Sequence, residues 1–313
     1  MNSLSVSSYC VREQLGPVSF TFTDQENTER HLQWDFPKLL SLSEFPQRAV
    51  DQFGASAVEI VSFHFKGIDD PEIDNLGKAL LDAKVTLLNV AVDVGNVGEA
   101  DDVKRAADIH ELKRWITRFA KIGSRFVRVN AGSPFDQEHD GEPAAHLVEA
   151  LIELGRHAKQ HGARLLVENH GGQSSDPAWM NRLLDAVGSE HLGLLLDLGN
   201  FDALMGPLMA TLFAPPGTAP SNPFEGLDLS SLYEGIDALA GRAELVHVKV
   251  HHVGEDGTIG VIDLPRALGI LAHHGYSGPL TVEYEGSGGD PWVKTQHVLT
   301  TITARAFGNT TAA

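Results

Sequence analysis

Ionisable side chains end four consecutive apolar segments of the chain, RLLVENHGG, LGLLLDLGN, LVHVKVHH and LTVEYEG. Short runs rich in Leu and Val, bounded by Gly, are typical of buried β-strands. Because alternate side chains of a strand point to opposite faces, the ionisable residues within a segment fall on one face. These residues are Glu168, His170, Asp197, His247, Lys249, His251, Glu283 and Glu285.

One residue from each segment is expected at a common level, namely Glu168, Asp197, His247 and Glu283. Three carboxylates around an imidazole would repel one another and take up protons unless positive charge lies among them. A divalent cation supplies that charge, and mixed oxygen and nitrogen ligation suits Mn²⁺, Zn²⁺, Co²⁺ or Mg²⁺. Any one of these residues alone is more typical of a helix cap or an ion pair. The set of four in register therefore predicts one divalent metal site, with manganese as the first choice.

Strands and amphipathic helices alternate along the whole sequence. Eight strand–helix units in series predict a parallel sheet closed into a (β/α)8 barrel, and a doubly wound open sheet is the alternative. No glycine-rich fingerprint follows the first strand, which disfavours a dinucleotide-binding fold. The predicted strands are Leu4–Tyr9, Ala57–Phe63, Thr86–Val92, Phe126–Asn130, Arg164–Glu168, Leu192–Leu196, Leu245–Lys249 and Leu280–Glu283.

Two stretches interrupt this rhythm, Gly16–Leu42 after strand one and Asp202–Ser230 after strand six. Both follow a strand, so in a barrel both would be insertions at the carboxyl-terminal rim, where active sites are built. The second contains apolar residues that include Met205 and Phe213. That composition favours a lid or an interface over a disordered or ornamental insertion.

Composition narrows the classes of partner. The net charge of −18 argues against general nucleic-acid binding, and no apolar run approaches the length of a membrane helix. The N-terminus lacks the pattern of a secretory signal, and the single cysteine, Cys10, suits a reducing compartment. We therefore expect a cytoplasmic enzyme with a small-molecule substrate and no nucleic-acid or membrane partner. Apolar rim insertions favour a homodimer or larger oligomer.

The sequence resembles the xylose isomerase-like TIM barrels, a superfamily of sugar phosphate isomerases and epimerases. The motifs ENHGG, DLGNF, VHVK and GYSGPLTVEYEG carry the likeness, which is closest between residues 165 and 286 and extends over residues 1–313 as one domain. The resemblance implies that the four residues named above are the metal ligands. It also implies that Glu168 and Glu283 face each other across a bound sugar and transfer its proton.

Departures from relatives leave the substrate open. The superfamily's apurinic endonucleases use further histidines, but predicted strand three has none and Asn200 replaces one of them. Ketose 3-epimerases carry a Glu and an Arg that grip the sugar, at positions occupied here by Ser174 and Val253. The Asp that commonly follows the HxK motif is replaced by Val250. The resemblance therefore specifies a superfamily and not one sugar.

Other polar residues are candidates for catalysis or substrate contact. His170 is a candidate general acid or base, or else a loop cap, and Lys249 would stabilise an enolate or instead pair with Glu285. Arg128 would bind substrate oxygens or pair with Glu168. Glu59 lies deeper and is expected in a buried hydrogen-bond network. The expected substrate contacts are Arg128, Asn130, Asn200, His64, His251 and Glu285, with Asp93 of the same kind.

Three functions remain open. The first is a metal-dependent isomerase or epimerase that removes a proton next to a metal-bound carbonyl of a ketose or keto-sugar, through a cis-enediolate. The second keeps that first step but eliminates the aglycone of a 3-keto-glycoside. The Glu-x-His of Glu168 and His170, which resembles that of the metal-dependent C-glycoside deglycosidases, favours this lyase. The third is a non-catalytic, metal-binding barrel subunit.

Overall fold

Eight parallel strands close into a barrel in the computed structural model, which describes residues 3–23, 28–133, 141–212, 214, 218, 220 and 222–306. Each strand pairs with its neighbours in chain order, and β1 closes the barrel by pairing with both β2 and β8. The predicted (β/α)8 barrel is thereby confirmed, and the open sheet is excluded. The strands are β1 (Leu4–Ser7), β2 (Ala57–Val61), β3 (Thr86–Val92), β4 (Phe126–Asn130), β5 (Arg164–Glu168), β6 (Gly193–Asp197), β7 (Ala243–Val250) and β8 (Leu280–Tyr284).

The strand bounds depart from the prediction mainly at β1 and β2. Both end two residues early, because the chain turns into 3₁₀-helices at Ser8–Gln14 and Ser62–His64. The Ser8 hydroxyl accepts the backbone N–H of Val61, so a side chain replaces the next rung of the sheet. Strands β3, β4 and β5 match the prediction, whereas β6, β7 and β8 differ by one or two residues at their ends.

Nine α-helices are present within the described ranges, and most of them cover the outside of the barrel. On α4, the apolar residues Leu147, Leu151 and Leu154 form the buried face that the sequence predicts. Asp176 and Asp263 accept backbone N–H groups at the starts of α5 and α8, as N-cap residues do. The helices are α1 (Phe45–Phe53), α2 (Glu72–Ala83), α3 (Asp102–Lys121), α4 (Ala145–Gln160), α5 (Pro177–Val187), α6 (Asp202–Leu212), α7 (Ser230–Ala240), α8 (Leu264–His273) and α9 (Pro291–Ala306).

An apolar layer fills the interior of the barrel and supports the polar residues above it. The layer is a cluster of its own, separate from the larger core between strands and helices. Two residues further along five of the six strands that supply the layer, the inward positions become polar. The layer consists of Ala57, Leu88, Phe126, Leu166, Leu195 and Leu245.

The two rim insertions contain regular structure. The first forms an antiparallel hairpin, Val18–Thr23 with Glu29–Trp34, whose Phe20 ring lies 5.1 Å from the ring of Phe63 after β2. The second begins with α6. Further along it, the ring of Phe224 lies 5.1 Å from the ring of His251, the residue that follows β7. Phe213 lies outside the described residues.

No helix within the described ranges combines the length and apolar character that a bilayer span requires.

Candidate metal centre and active site

Four side chains from consecutive strands converge above the apolar layer. Glu168, Asp197, His247 and Glu283 each offer one ligand atom, and these atoms lie within 4.8 Å of one another. The imidazole is central, because His247 Nδ1 is 3.4 Å from Glu168 Oε1, 3.6 Å from Asp197 Oδ2 and 3.4 Å from Glu283 Oε2. All four residues are buried. The structure therefore brings together the four residues that the sequence predicts.

The spacing of these atoms fits a divalent cation. Two ligands bound at about 2.1 Å to a tetrahedral ion are separated by about 3.4 Å, close to the distances between His247 Nδ1 and the three carboxylates. His247 Nδ1 is buried and has no hydrogen-bond partner among the described residues. A mixed set of carboxylate oxygens and one imidazole nitrogen suits a hard or borderline divalent ion. This buried cluster could hold a metal.

A fourth carboxylate, that of Glu59, fixes the orientation of the imidazole from below. His247 Nε2 lies 2.9 Å from Glu59 Oε2, and both side chains are buried. Glu59 also accepts hydrogen bonds from Asn89 Nδ2, at 2.9 Å, and from the hydroxyl of Thr281. With its Nε2–H donated to Glu59, the ring presents Nδ1 as the ligand. Glu59 thus belongs to the buried network that the sequence predicts, and it contacts a candidate ligand directly.

Arg128 is held by acidic groups on the side of the cluster formed by β3 to β5. Its Nε is 2.8 Å from Glu168 Oε2, and its Nη1 contacts Asp93 and Asn130. Burial would raise the pKa of Glu168, but the guanidinium of Arg128 and then His247 lower it to about 2. Asn200 Nδ2 donates to Glu168 Oε1 at 3.2 Å. Of the two roles left open for Arg128, the structure contains the pairing with Glu168.

Lys249 lies above the cluster with its ammonium group among carboxylates. Its Nζ is 2.8 Å from Glu285 Oε1, 3.1 Å from Asp197 Oδ2 and 3.2 Å from Glu283 Oε2. Burial would lower the pKa of Lys249, but Asp197, Glu285 and Glu283 hold it well above its ordinary value. Lys249 therefore carries a permanent positive charge at the site.

The surrounding carboxylates stabilise a positive charge at the position of His247. Burial would lower the pKa of His247, but Glu283 and Glu59 raise it well above its ordinary value. Burial would likewise raise the pKa of Glu283, but Lys249 and then His247 hold it well below its usual range. A divalent ion in the cluster would supply the same charge, and its binding would displace a proton from Nδ1.

The three predicted histidines outside the metal cluster have different surroundings. His170 is partly exposed, and its ring nitrogens form no hydrogen bond among the described residues, whereas its backbone N–H donates to Ser174 Oγ. His251 Nδ1 is 3.5 Å from Glu285 Oε2, and its ring lies 5.1 Å from that of Phe224. His64 is partly buried beside Phe63, with no hydrogen bond to either nitrogen.

Several residues that lie near the site were not predicted from the sequence. Arg12 donates to the backbone oxygens of Tyr284 and Glu285 at 3.2 and 2.7 Å, which anchors the end of β8. Ser7 Oγ is 3.5 Å from Glu283 Oε1. The polar positions Ser5 and Ser7 alternate along β1 and are buried, so the period-two pattern was the available signal. No pattern in the sequence pointed to Arg12.

A family model described as xylose isomerase-like TIM barrel matches residues 47–302, which is most of the chain. The protein belongs to this family. The match includes all four residues of the cluster and the strands that carry them. The sequence itself matches none of the curated proteins.

Several solved structures share the barrel of this xylose isomerase-like chain. An L-ribulose 3-epimerase superimposes with a TM-score of 0.68 at 19% identity, over 100% of this chain and 99% of the other. The IolI protein with a bound zinc atom gives 0.65 at 14%, over 99% and 100%. A D-allulose 3-epimerase from Methylomonas sp. in complex with D-allulose gives 0.64 at 14%, over 97% of each chain. At these identities the likeness establishes the fold.

Replacing Glu59 should weaken metal binding without removing a ligand. In Glu59→Gln, an amide that donates to His247 Nε2 would leave the ring proton on Nδ1, where it blocks ligation. We expect affinity for Mn²⁺ to fall about 10- to 100-fold, measured by calorimetric titration. The control is Glu234→Gln, an exposed position on α7. Equal affinities for the two variants would contradict this role of Glu59.

His64 should make the fold sensitive to acid. Burial and then Arg12 lower its pKa from 6.5 to about 4, so the unfolded chain binds a proton between these values that the folded chain does not. Stability is therefore lost as pH falls from 6.5 towards 4, by about 3 kcal/mol for this group. In urea titrations at pH 7 and pH 4.5, His64→Gln should lose less stability than the wild type. The exposed His273→Gln variant should match the wild type.

Proposed function

We propose that this protein is a divalent-metal-dependent isomerase or epimerase that acts on a ketose or keto-sugar by removing a proton next to a carbonyl. The observation that carries the proposal is the convergence of Glu168, Asp197, His247 and Glu283 within 4.8 Å of one another at the carboxyl-terminal end of a barrel. Active sites of such barrels lie at this end. The solved relatives, which include an epimerase in complex with D-allulose, support a sugar substrate.

The four residues of the cluster would hold the cation, with manganese preferred and zinc, cobalt or magnesium as alternatives. The bound ion would polarise a carbonyl and a neighbouring hydroxyl of the sugar and so acidify the C–H group between them. The zinc atom bound in the IolI structure, which shares this fold, supports a divalent ion at this site. Glu59 would keep the Nδ1 atom of His247 directed at the ion.

Two carboxylates flank the position where the proton must move. Glu168 is fixed by Arg128 on Oε2 and by Asn200 on Oε1, and it is 1% exposed. Glu283 is 7% exposed, and it touches only Lys249, His247 and the distant hydroxyl of Ser7 among the described side chains. Glu283 is therefore the more accessible of the two carboxylates and the one we assign as the base, and its lowered pKa keeps it ionised at neutral pH.

Positive charge and proton exchange come from two further residues. The ammonium group of Lys249 lies 3.2 Å from Glu283 and would stabilise the negative charge that develops on the substrate as the proton leaves. The partly exposed imidazole of His170 is open to solvent and would relay a proton between solvent and the site. His170 would then supply the proton that returns to the same or the adjacent carbon, while Lys249 keeps its charge.

A specific feature favours a second candidate, elimination of the aglycone from a 3-keto-glycoside. The ring of His170 lies two residues beyond Glu168 and forms no hydrogen bond among the described residues. It is therefore free to protonate a leaving oxygen or carbon after the first proton is removed. This lyase would share the metal ligands and the base with the isomerase.

Proton abstraction should be visible as isotope exchange. The protein is incubated with Mn²⁺ and each member of a panel of ketoses and keto-sugars in D₂O. The reacting C–H should be replaced by C–D, and NMR measures the rate of this exchange. Glu283→Gln should lower the exchange rate at least about 10³-fold, as expected for loss of a catalytic base that is also a ligand. The exposed Glu255→Gln should leave the rate unchanged.

Isomerisation without exchange would point to hydride transfer. Turnover of no member of the panel would overturn the isomerase proposal.

His170→Gln separates the two candidate reactions. For an isomerase the variant should retain C–H exchange and lose part of its turnover, because Glu283 still removes the proton. For a lyase it should lose release of free aglycone from 3-keto-glycosides by about 10²-fold or more, because no acid remains for the leaving group. The released aglycone is measured by chromatography. The control is Gln173→Asn on the same loop.

A further inference from the structure

Lys249 contacts the same oxygen atoms that a cation in the cluster would need. Its Nζ is 3.1 Å from Asp197 Oδ2 and 3.2 Å from Glu283 Oε2. These are the atoms that lie 3.6 and 3.4 Å from His247 Nδ1 and complete the candidate ligand set with Glu168. One ammonium group therefore lies within ion-pair distance of two of the three carboxylates.

Two further groups hold the ammonium at its outer side. Glu285 Oε1 is 2.8 Å from Nζ, and Asn200 Oδ1 accepts a hydrogen bond from it at 3.1 Å. Neither residue belongs to the ligand cluster. Lys249 thus has one pair of partners among the ligands and a second pair outside them. Its side chain can give up the first pair and keep the carboxylate of Glu285 as its counter-charge and the amide oxygen of Asn200 as its acceptor.

We propose that Lys249 is a built-in competitor of the metal ion, which binds Asp197 and Glu283 when the ion leaves and withdraws to Glu285 and Asn200 when the ion enters. The inference rests on the proposed metal site. A fixed positive charge a few ångströms from a divalent ion opposes its binding. The same charge stabilises the ligands without the ion, because buried like charges otherwise repel. The result is a metal that binds reversibly and a site that stays assembled between binding events.

The competitor role predicts opposite effects on two quantities, which a purely structural role does not. Lys249→Met keeps the apolar stem and removes the charge, so affinity for Mn²⁺ should increase by about tenfold or more. The melting temperature of the chelator-treated variant should fall, because Asp197 and Glu283 lose their counter-charge. A lysine that merely supports the structure would lower the affinity and the melting temperature together.

The experiment is calorimetric titration of the full chain with MnCl₂, and separately with ZnCl₂, after treatment with a chelator and dialysis. The control is Lys294→Met, which removes one positive charge from a partly exposed lysine beside Ser287, beyond the end of β8. It should bind Mn²⁺ as the wild type does. Unchanged or weaker binding by Lys249→Met would overturn the inference. Absence of binding by the wild type would instead overturn the proposed metal site.

Crystal structures of the wild type decide the question if the variant fails to fold after chelation. In crystals soaked with Mn²⁺, Nζ should lie beyond about 4 Å, the ion-pair limit, from Asp197 Oδ2 or Glu283 Oε2 and should remain bonded to Glu285. In chelator-treated crystals it should contact both ligands. An ammonium group in the same position in both crystals would contradict competition.

Discussion

Repulsion among three buried carboxylates is the constraint on which the rest of the site depends. Glu168, Asp197 and Glu283 meet around the Nδ1 atom of His247, and burial makes each unpaired charge costly. Two positively charged side chains offset this repulsion: Arg128 lies beside the cluster and Lys249 lies above it. The proposed divalent ion would complete this balance. Positive and negative groups thus lie against one another around the site.

The barrel supplies the geometry for that balance. Its apolar layer, which includes Phe126 and Leu166, closes the interior below the site, and on five of the layer's strands the next inward position is polar. Parallel strands end at the same side, and therefore residues separated by more than a hundred positions, such as Glu168 and Glu283, come into contact with one imidazole. Glu59, from the opposite side of the barrel, completes the support of that imidazole. Ligand and support thus come from strands on both sides of the barrel.

Much of the fold was predictable because strand and helix patterns are local. The buried strands β3, β4 and β5 matched to the residue, since continuous apolar runs end where polar rim residues begin. The ends of β1 and β2 were wrong, because they depend on a hydrogen bond between Ser8 and Val61, which lie 53 residues apart. The hairpin between Val18 and Trp34 was also missed as regular structure, since its strands lie at the rim and carry mixed polar and apolar residues.

The sequence by itself determined the class of fold and the four members of the candidate cluster, because both follow from periodicity and from residue type at strand ends. It left open what Arg128 and Lys249 contact, since an inward position does not specify a partner across the barrel. Only the tertiary structure decided these pairings, together with the contact of Glu59 with His247 and the anchoring role of Arg12. Each depends on distances between distant segments, and those distances arise only when the barrel closes.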